Sequence, residues 1–511
     1  MIASIKALVV VLAIATLVFR LARPIAARFS SDLDFSRRRN VWFALTSVAF
    51  LSPNFWVFSL VAIPMLIWAG RKDPNPVALY LLLLHVIPNT PVRIPTIWIN
   101  ELFDLNNFRL LSLCVLIPAA WRVKRSGTAA HRPGFTSMDY LLLAFGILQV
   151  LIYVPANLSN QVPLPDSPTN VLRRAFLFFL DVYVLYYVVS RICTSRRAIA
   201  DAMATFCLVS ILMALIGVFE SLRHWLLYDD IVVRWGTSVI SAYSYTRDGF
   251  VRAQASAGHA LALGYLLAIA FGFWLYFRSQ MKSAWSRIGG ALVLWLGLAA
   301  TYSRGPWIGA AAIYMAFAAL GPRALSRTFK AMVIAILLLG ALSLTPTGER
   351  LINAVPFLGG KAGDSSVTYR HRLAERSWEL IQEHPFLGDG SVLFKMEGLR
   401  QGEGIIDLVN TYAEMALFYG LVGLSLLVGF IMIAFFKVYG AARKVARSDP
   451  DFGILGISLA ASILGVLLML ENTSFILALP IMFYVLAGLA AAYARVGNST
   501  TRNPSGDAHP L

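Results

Sequence analysis

A chain of 511 residues, 58% of them hydrophobic and 14% charged, with a mean hydropathy of +0.68, lacks the polar surface that a soluble core of this length needs. The net charge of +17 raises the question of a nucleic-acid partner, but the Lys and Arg gather in short segments between apolar runs, as in cytoplasmic loops of membrane proteins. Three cysteines, all in or beside apolar runs, argue against a disulfide framework, a thiolate nucleophile and a metal array.

In chain order, apolar segments lie near 2–20, 41–69, 75–90, 109–122, 138–154, 175–190, 202–220, 258–277, 288–302, 307–320, 330–345, 411–436, 453–470 and 474–493. Most are long enough to cross about 30 Å of hydrocarbon as a helix. The expected fold class is an all-α polytopic integral membrane protein with about 14 transmembrane helices and one large periplasmic loop, about 346–410, containing short helices. The first segment imitates a signal peptide, yet more positive charge follows its apolar stretch than precedes it, so it reads as a retained helix. Segment 41–69 holds "LSPNFW" at its middle, which leaves one long helix and a hairpin both open.

The short basic segments "SRICTSRRAIAD", "RSQMKSAWSR", "GPRALSRTFK" and "KVYGAARKVARSD" read as cytoplasmic. Alternation then puts 222–257, the turn Ser303–Pro306 and the long loop on the outer face. The expected organisation is 1–257, N-terminal membrane helices with a periplasmic loop at 222–257; 258–345, membrane helices including the Ser-Arg-Gly hairpin; and 346–410, the large periplasmic loop. Membrane helices follow over 411–493, then a cytoplasmic disordered tail over 494–511. Within the loop, "SVTYRHRLAERSWELIQEHPFLGDG" predicts a helix from about Thr368 to Glu383, stopped by Pro385 and Gly388, with Leu373, Leu380 and Ile381 turned inward.

No P-loop, dinucleotide-binding glycine pattern, HExxH or Cys/His array is present in the sequence. What remains is a set of polar residues expected on the outer face: Arg252, Arg304, Arg370, His371, Arg372, Glu375, Arg376, His384, Asp407, Asn410, Tyr412 and Glu414. Arginine there runs against the positive-inside bias. Its guanidinium is a rigid fork of donors suited to phosphate oxygens, and at a membrane surface the natural phosphate belongs to a lipid head group. Several such forks could stabilise a diphosphate as it departs. Plainer roles stay open. Arg372 and Arg376 can pair with Glu375 and Glu379 along a helix, Arg304 can cap a hairpin, and His384 can pack the loop. His259 opens an apolar helix, and Asp181, in mid-span, is expected to pair inside the bundle. Gly305 and Pro306 read as residues that let two helices meet tightly.

Four stretches carry a resemblance. "TYSRGPWIGAAAIYMAF" resembles the Ser-Arg-Gly hairpin of the O-antigen ligase and Wzy-type polysaccharide polymerase superfamily, and "EHPFLGDGSVLF" its His-Pro-x-x-Gly-x-Gly element. "DLVNTYAEMALFYGLVGLSLL" resembles the segment that re-enters the membrane, and "RAQASAGHALALGY" the arginine-bearing end of an earlier periplasmic loop. The resemblance implies an inverting, metal-independent glycosyltransferase of the bacterial inner membrane without cofactors. Its donor is a glycan on undecaprenyl diphosphate, its acceptor a glycan, and its reaction takes place at the periplasmic face. It assigns Arg252 and Arg304, with Arg370 or Arg372, to the diphosphate, and Asn410 and Tyr412 to substrate or acceptor. Partners implied are the bilayer, a chain-length regulator and other polysaccharide assembly proteins, and no nucleic acid.

One departure decides between branches. Ligases carry a His-Asn pair where this chain has Val409-Asn410, and "DLVNTY" is closer to exopolysaccharide polymerases of the succinoglycan type. The reading is therefore a polymerase of lipid-linked repeat units, with Asp407, Glu414 and His384 as candidates for the acceptor-activating base. A ligase is the alternative. A transporter or flippase of lipid-linked sugars is a second, which would place basic residues within the spans.

Overall fold

Lipid offers no hydrogen bonds to the backbone, so apolar runs of span length fold as helices that satisfy their own N–H and C=O groups. The computed structural model describes residues 2–94, 103–125, 134–158, 168–236, 246–247, 250–322, 326, 365–400, 406–475 and 479–502. The expected span 330–345, residues 346–364 of the long loop and residues 503–511 of the tail lie outside the described residues.

The described chain is an all-α polytopic membrane protein. Helix α1 (Ile2–Ala26) is followed by α2 (Asp32–Leu51) and α3 (Phe55–Lys72), which resolve segment 41–69 into two helices. The break falls where Pro53 has no N–H to give and Asn54 caps α3, its side chain accepting from the Val57 N–H at 2.9 Å. Then come α4 (Pro76–Leu83) and α5 (Asn107–Leu111), the latter running through a π turn at Ser112–Leu116 into α6 (Ile117–Arg125). Helix α7 (Ser137–Leu158) precedes α8 (Pro168–Phe178), which passes a second π turn at Phe179–Val184 into α9 (Leu185–Ile192). The π turn holds Asp181, and Arg109 of α5 meets its carboxylate at 2.8 Å, the pairing inside the bundle that the sequence implied.

Helix α10 (Arg196–Arg223) leads to the short α11 (Asp229–Arg234), and α12 (Ala260–Phe277), α13 (Ala284–Ala300) and α14 (Arg304–Leu320) form the centre. Of the long loop, α15 (Ser365–Glu383) and a 3-10 turn at Phe394–Leu399 are described, and then α16 (Thr411–Val445), α17 (Pro450–Leu470) and α18 (Leu479–Arg502) follow. Among the described residues, strand is confined to two-residue antiparallel pairs, β1 (Val92–Arg93) with β2 (Asp104–Leu105) and β3 (Thr246–Arg247) with β4 (Phe250–Val251). Eight of the described helical segments are long and apolar enough to span a bilayer, and two shorter apolar helices accompany them.

Helix α12 is the axis. Every residue of it but Leu261 is buried, packed against α10, α13, α14 and α17. Ion pairs knit one end of the bundle: Arg38 to Asp73 and Asp201, Arg191 to Asp139, and Arg196 to Asp449. This is the end of the short basic segments. The opposite end carries α11, the Ser303–Arg304 turn and α15.

Candidate functional site

The site is built on the end of α13. Its last turn closes with Thr301 Oγ1 donating to the Leu298 carbonyl at 2.7 Å, and Tyr302 takes a left-handed conformation (φ 47°) that reverses the chain. The segment after β4 docks on this turn, with the Ala253 N–H on the Ala300 carbonyl at 2.9 Å and the Phe250 and Tyr302 rings stacked 5.5 Å apart. Arg252 follows: its Nε donates to the Thr301 carbonyl at 3.2 Å and its Nη2 to Ser303 Oγ at 2.9 Å. The next residue after Ser303 is Arg304, the half-buried first residue of α14. Ser303 Oγ is engaged by Arg252 and Thr301, and α14 begins without a side-chain cap. Its first N–H groups and positive dipole end therefore lie beside the Arg252 guanidinium, which donates to the N-cap residue Ser303.

Glycine and proline in this turn have partners outside the hairpin. Pro306 lies against Gly264 of α12, where a Cβ would sit 2.7 Å from the ring, and Gly305 faces Asn472, 3.4 Å from where its own Cβ would be. The close approach is thus made to α12 and to the loop between α17 and α18.

That loop, Glu471–Phe475, gathers the rest. Arg370 of α15 donates to Asn472 Oδ1 at 3.1 Å. Ser474 Oγ donates to Asp407 Oδ1 at 2.9 Å, Thr411 Oγ1 to the Thr473 carbonyl at 2.5 Å, and the Phe475 N–H to Glu414 Oε2 at 3.2 Å. Asp407 also accepts from the Val409 N–H at 3.2 Å, and Val409 is left-handed (φ 48°). Asn410 is the N-cap of α16, accepting from the Tyr412 and Ala413 N–H groups at 2.9 and 3.1 Å, while the Tyr412 hydroxyl donates to the Leu467 carbonyl at 2.5 Å. So Asn410 Oδ1 caps the start of α16 and the Tyr412 hydroxyl ties that start to α17. His259 caps α12, its Nδ1 accepting from the Leu261 N–H at 3.2 Å. Burial pushes it down to about 4, the nearby Arg252 charge adds to this and Asp407 opposes it.

His384 stands apart. Helix α16 breaks at Gly420 (φ 62°, ψ −172°), and the His-Pro-x-x-Gly-x-Gly element repairs the break. The Leu421 N–H donates to the Pro385 carbonyl at 2.8 Å, the Val422 N–H to the Phe386 carbonyl at 3.3 Å, and the Asp389 N–H to the Leu417 carbonyl at 2.8 Å. Gly388 and Gly420 are required there: a Cβ on the first would fall 2.5 Å from the Leu417 oxygen and on the second 2.1 Å from the Phe386 oxygen. Ten residues of helix separate Thr411 from Leu421, roughly 15 Å of axis, so the exposed His384 sits well away from Asp407. Lys395 clamps this element to α15, meeting Glu383 and Asp389 each at 3.0 Å. Burial alone would raise Asp389, but hydrogen bonds from Ser391 and Lys395 hold it below the usual carboxylate range.

Of the residues singled out in the sequence, Arg252, Arg304, Arg370, Asp407, Asn410, Tyr412 and Glu414 meet around the turn and the Glu471–Phe475 loop. Arg372 is exposed on α15, where His371 pairs with Glu375 at 3.3 Å and Arg376 with Glu379 at 2.8 Å. Asn472 and Ser474 escaped sequence reasoning, although "ENTS" is as polar an interruption between two apolar runs as Ser303–Pro306. Glu220 escaped it too. Fully buried at the end of α10, it accepts from the Leu227, Gln254 and Ala255 N–H groups at 3.0, 3.0 and 2.8 Å and so anchors the segment that carries Arg252.

Residues 289–428 match the family model of the O-antigen ligase. The match runs from α13 across the Ser303–Arg304 turn and α15 into α16, so this part of the chain is similar to the O-antigen ligase family. No curated protein matches the chain.

Proposed function

We propose that this bacterial inner-membrane protein, a glycan-transferring enzyme by its O-antigen ligase domain, polymerises lipid-linked repeat units at the periplasmic face. The observation that carries the proposal is the meeting of Arg252, Arg304 and Arg370 with Asp407 at one end of the bundle. The donor is an oligosaccharide on undecaprenyl diphosphate and the acceptor the sugar end of a second lipid-linked unit. The guanidinium groups and the uncapped start of α14 hold the diphosphate and take up charge as it leaves. Asp407 accepts the proton of the acceptor hydroxyl, whose oxygen bonds the anomeric carbon as the carbon–diphosphate bond breaks, with inversion and without a metal. Glu414, held by the Phe475 N–H, is the second candidate base. Val409, where ligases carry histidine, favours polymerase over ligase.

The test replaces Arg304 and Arg252 singly by Ala or Lys and follows polymer length in cells. Loss of one transition-state donor costs about 10²–10³ in rate, so single repeat units should accumulate. Full-length polymer from both alanine variants at normal protein levels would overturn the proposal. Release of the diphosphate lipid from a synthetic donor by the purified protein separates transfer from transport. Deletion separates the branches: single units accumulate without a polymerase, unattached polymer without a ligase.

A further inference from the structure

A groove opens at the end of the bundle opposite the Arg252–Arg304 turn. Its cavity of about 450 Å³ lies between α1, α10, α12 and α13, with walls formed by Leu21, Ile25, Leu208, Trp274, Phe277 and Val293. That volume is typical of a built small-molecule site. The charged groups in the wall, Asp201 and Arg38, engage each other, Nη1 at 2.9 Å and Nη2 at 3.0 Å. The rim is apolar and open to the side, with Trp285 86% exposed.

The mouth is basic. Arg28 donates to the Gln280 carbonyl, and Arg197 Nε to the carbonyl of Phe29, a lining residue, at 3.0 Å. In the segment that Arg28 reaches, Arg278, Lys282 and Arg287 flank the lining residues Met281 and Trp285 in sequence, and the Arg287 carbonyl accepts from Trp274 Nε1 at 3.3 Å. An apolar slot in a membrane-spanning bundle, with five cationic residues in the segments around its mouth, has the complementarity of an anionic lipid. Val293 is the groove residue of α13 nearest the arginine turn, and from it to Ala300 runs roughly 10 Å of helix, so the groove is distinct from the glycan-transfer site.

We propose that this groove binds one anionic phospholipid, an acyl chain between α1 and α13 and the phosphate among Arg28, Arg278, Lys282 and Arg287. The inference stands on the groove and its rim, independently of the transfer reaction. Gly289 supplies the test, because a Cβ there meets nothing within 4 Å and Gly289→Phe fills the slot without a backbone clash. Gly429→Phe on α16, equally open, is the control. Full-length protein purified in detergent is titrated with dioleoylphosphatidylglycerol or dioleoylphosphatidylcholine, and bound lipid is counted by native mass spectrometry. Brominated chains report contact with the groove tryptophans by fluorescence quenching. One phosphatidylglycerol should be retained by the natural protein and by Gly429→Phe. Its affinity should fall at least tenfold in Gly289→Phe and severalfold in the double variant Lys282→Gln, Arg287→Gln. Equal retention of both lipids, or unchanged affinity in Gly289→Phe, overturns the proposal. Should Gly289→Phe fail to fold, unchanged affinity in the double variant overturns it instead.

Discussion

Two carboxylates stand close to the arginines, and their surroundings separate their roles. Asp407 gives one oxygen to Val409 and Ser474, an arrangement that an amide oxygen can reproduce. Asp407→Asn should therefore melt within about 1 kcal/mol of the natural protein, while losing about 10²-fold or more of its glycan-transferring activity. Glu414→Gln keeps the acceptor for the Phe475 N–H and should retain activity. The converse pattern would move the base to Glu414, and donor turnover beside thermal unfolding distinguishes the two. Arg252 illustrates a limit of reading residues singly: its partners are a carbonyl and a hydroxyl 49 and 51 residues further along the chain.

At the scale of elements, each functional segment is held by backbone bonds to a distant one. Glu220 fastens the 224–257 segment through three N–H groups, each costing roughly 1–3 kcal/mol if left unpaired. Glu220→Ala should speed amide exchange at Gln254 and Ala255 and lower activity together, whereas a distant surface substitution should do neither. The α15 element depends on Gly388, where alanine would meet the Leu417 oxygen in a left-handed conformation. Gly388→Ala should expose residues 365–400 to proteolysis while α16 and α17 remain protected. A pH effect belongs here as well. Glu383 and Asp389 are both lowered in the folded protein, so their contribution is present above the ordinary carboxylate values and is lost as pH falls through the folded ones. Hydrogen exchange in α15 should therefore rise below about pH 4, with little change between neutrality and pH 6.

Across the whole molecule, the two ends of the bundle do different work. The basic end is tied by buried charge, with Arg38 bridging α2, the end of α3 and α10 through Asp73 and Asp201 at 2.8 and 2.9 Å. Removing the arginine leaves two buried carboxylates, so Arg38→Ala should cost about 3–5 kcal/mol and lower the thermal midpoint in detergent without touching the arginine turn. The other end keeps Arg252 and Arg304 half-buried and Arg370 and Asp407 exposed around a helix start, which suits an anion that must arrive and leave.

The multi-pass helical character and the arginine turn were legible in sequence because hydropathy and loop charge act locally along the chain, whereas against about 14 expected spans eight of the described helical segments are long and apolar enough to cross a bilayer. The α15 helix was visible from Thr368, and the structure begins it at Ser365. Segment 41–69 was ambiguous because Pro53 and Asn54 permit a kink or a break, and packing against neighbouring helices chose the break. His384 looked like a site residue because its motif is unusual, and the structure gives that motif a mechanical reason in the kink at Gly420. Sequence by itself determined that this is a multi-pass membrane protein with arginines where loop charge gives no routine reason for them, since lipid imposes that pattern residue by residue. Only the tertiary structure decided which of those residues meet. Arg252, Arg304, Arg370 and Asp407 are joined through Ser303, Asn472 and Ser474, and hydrogen bonds across such separations leave no periodic trace in the chain.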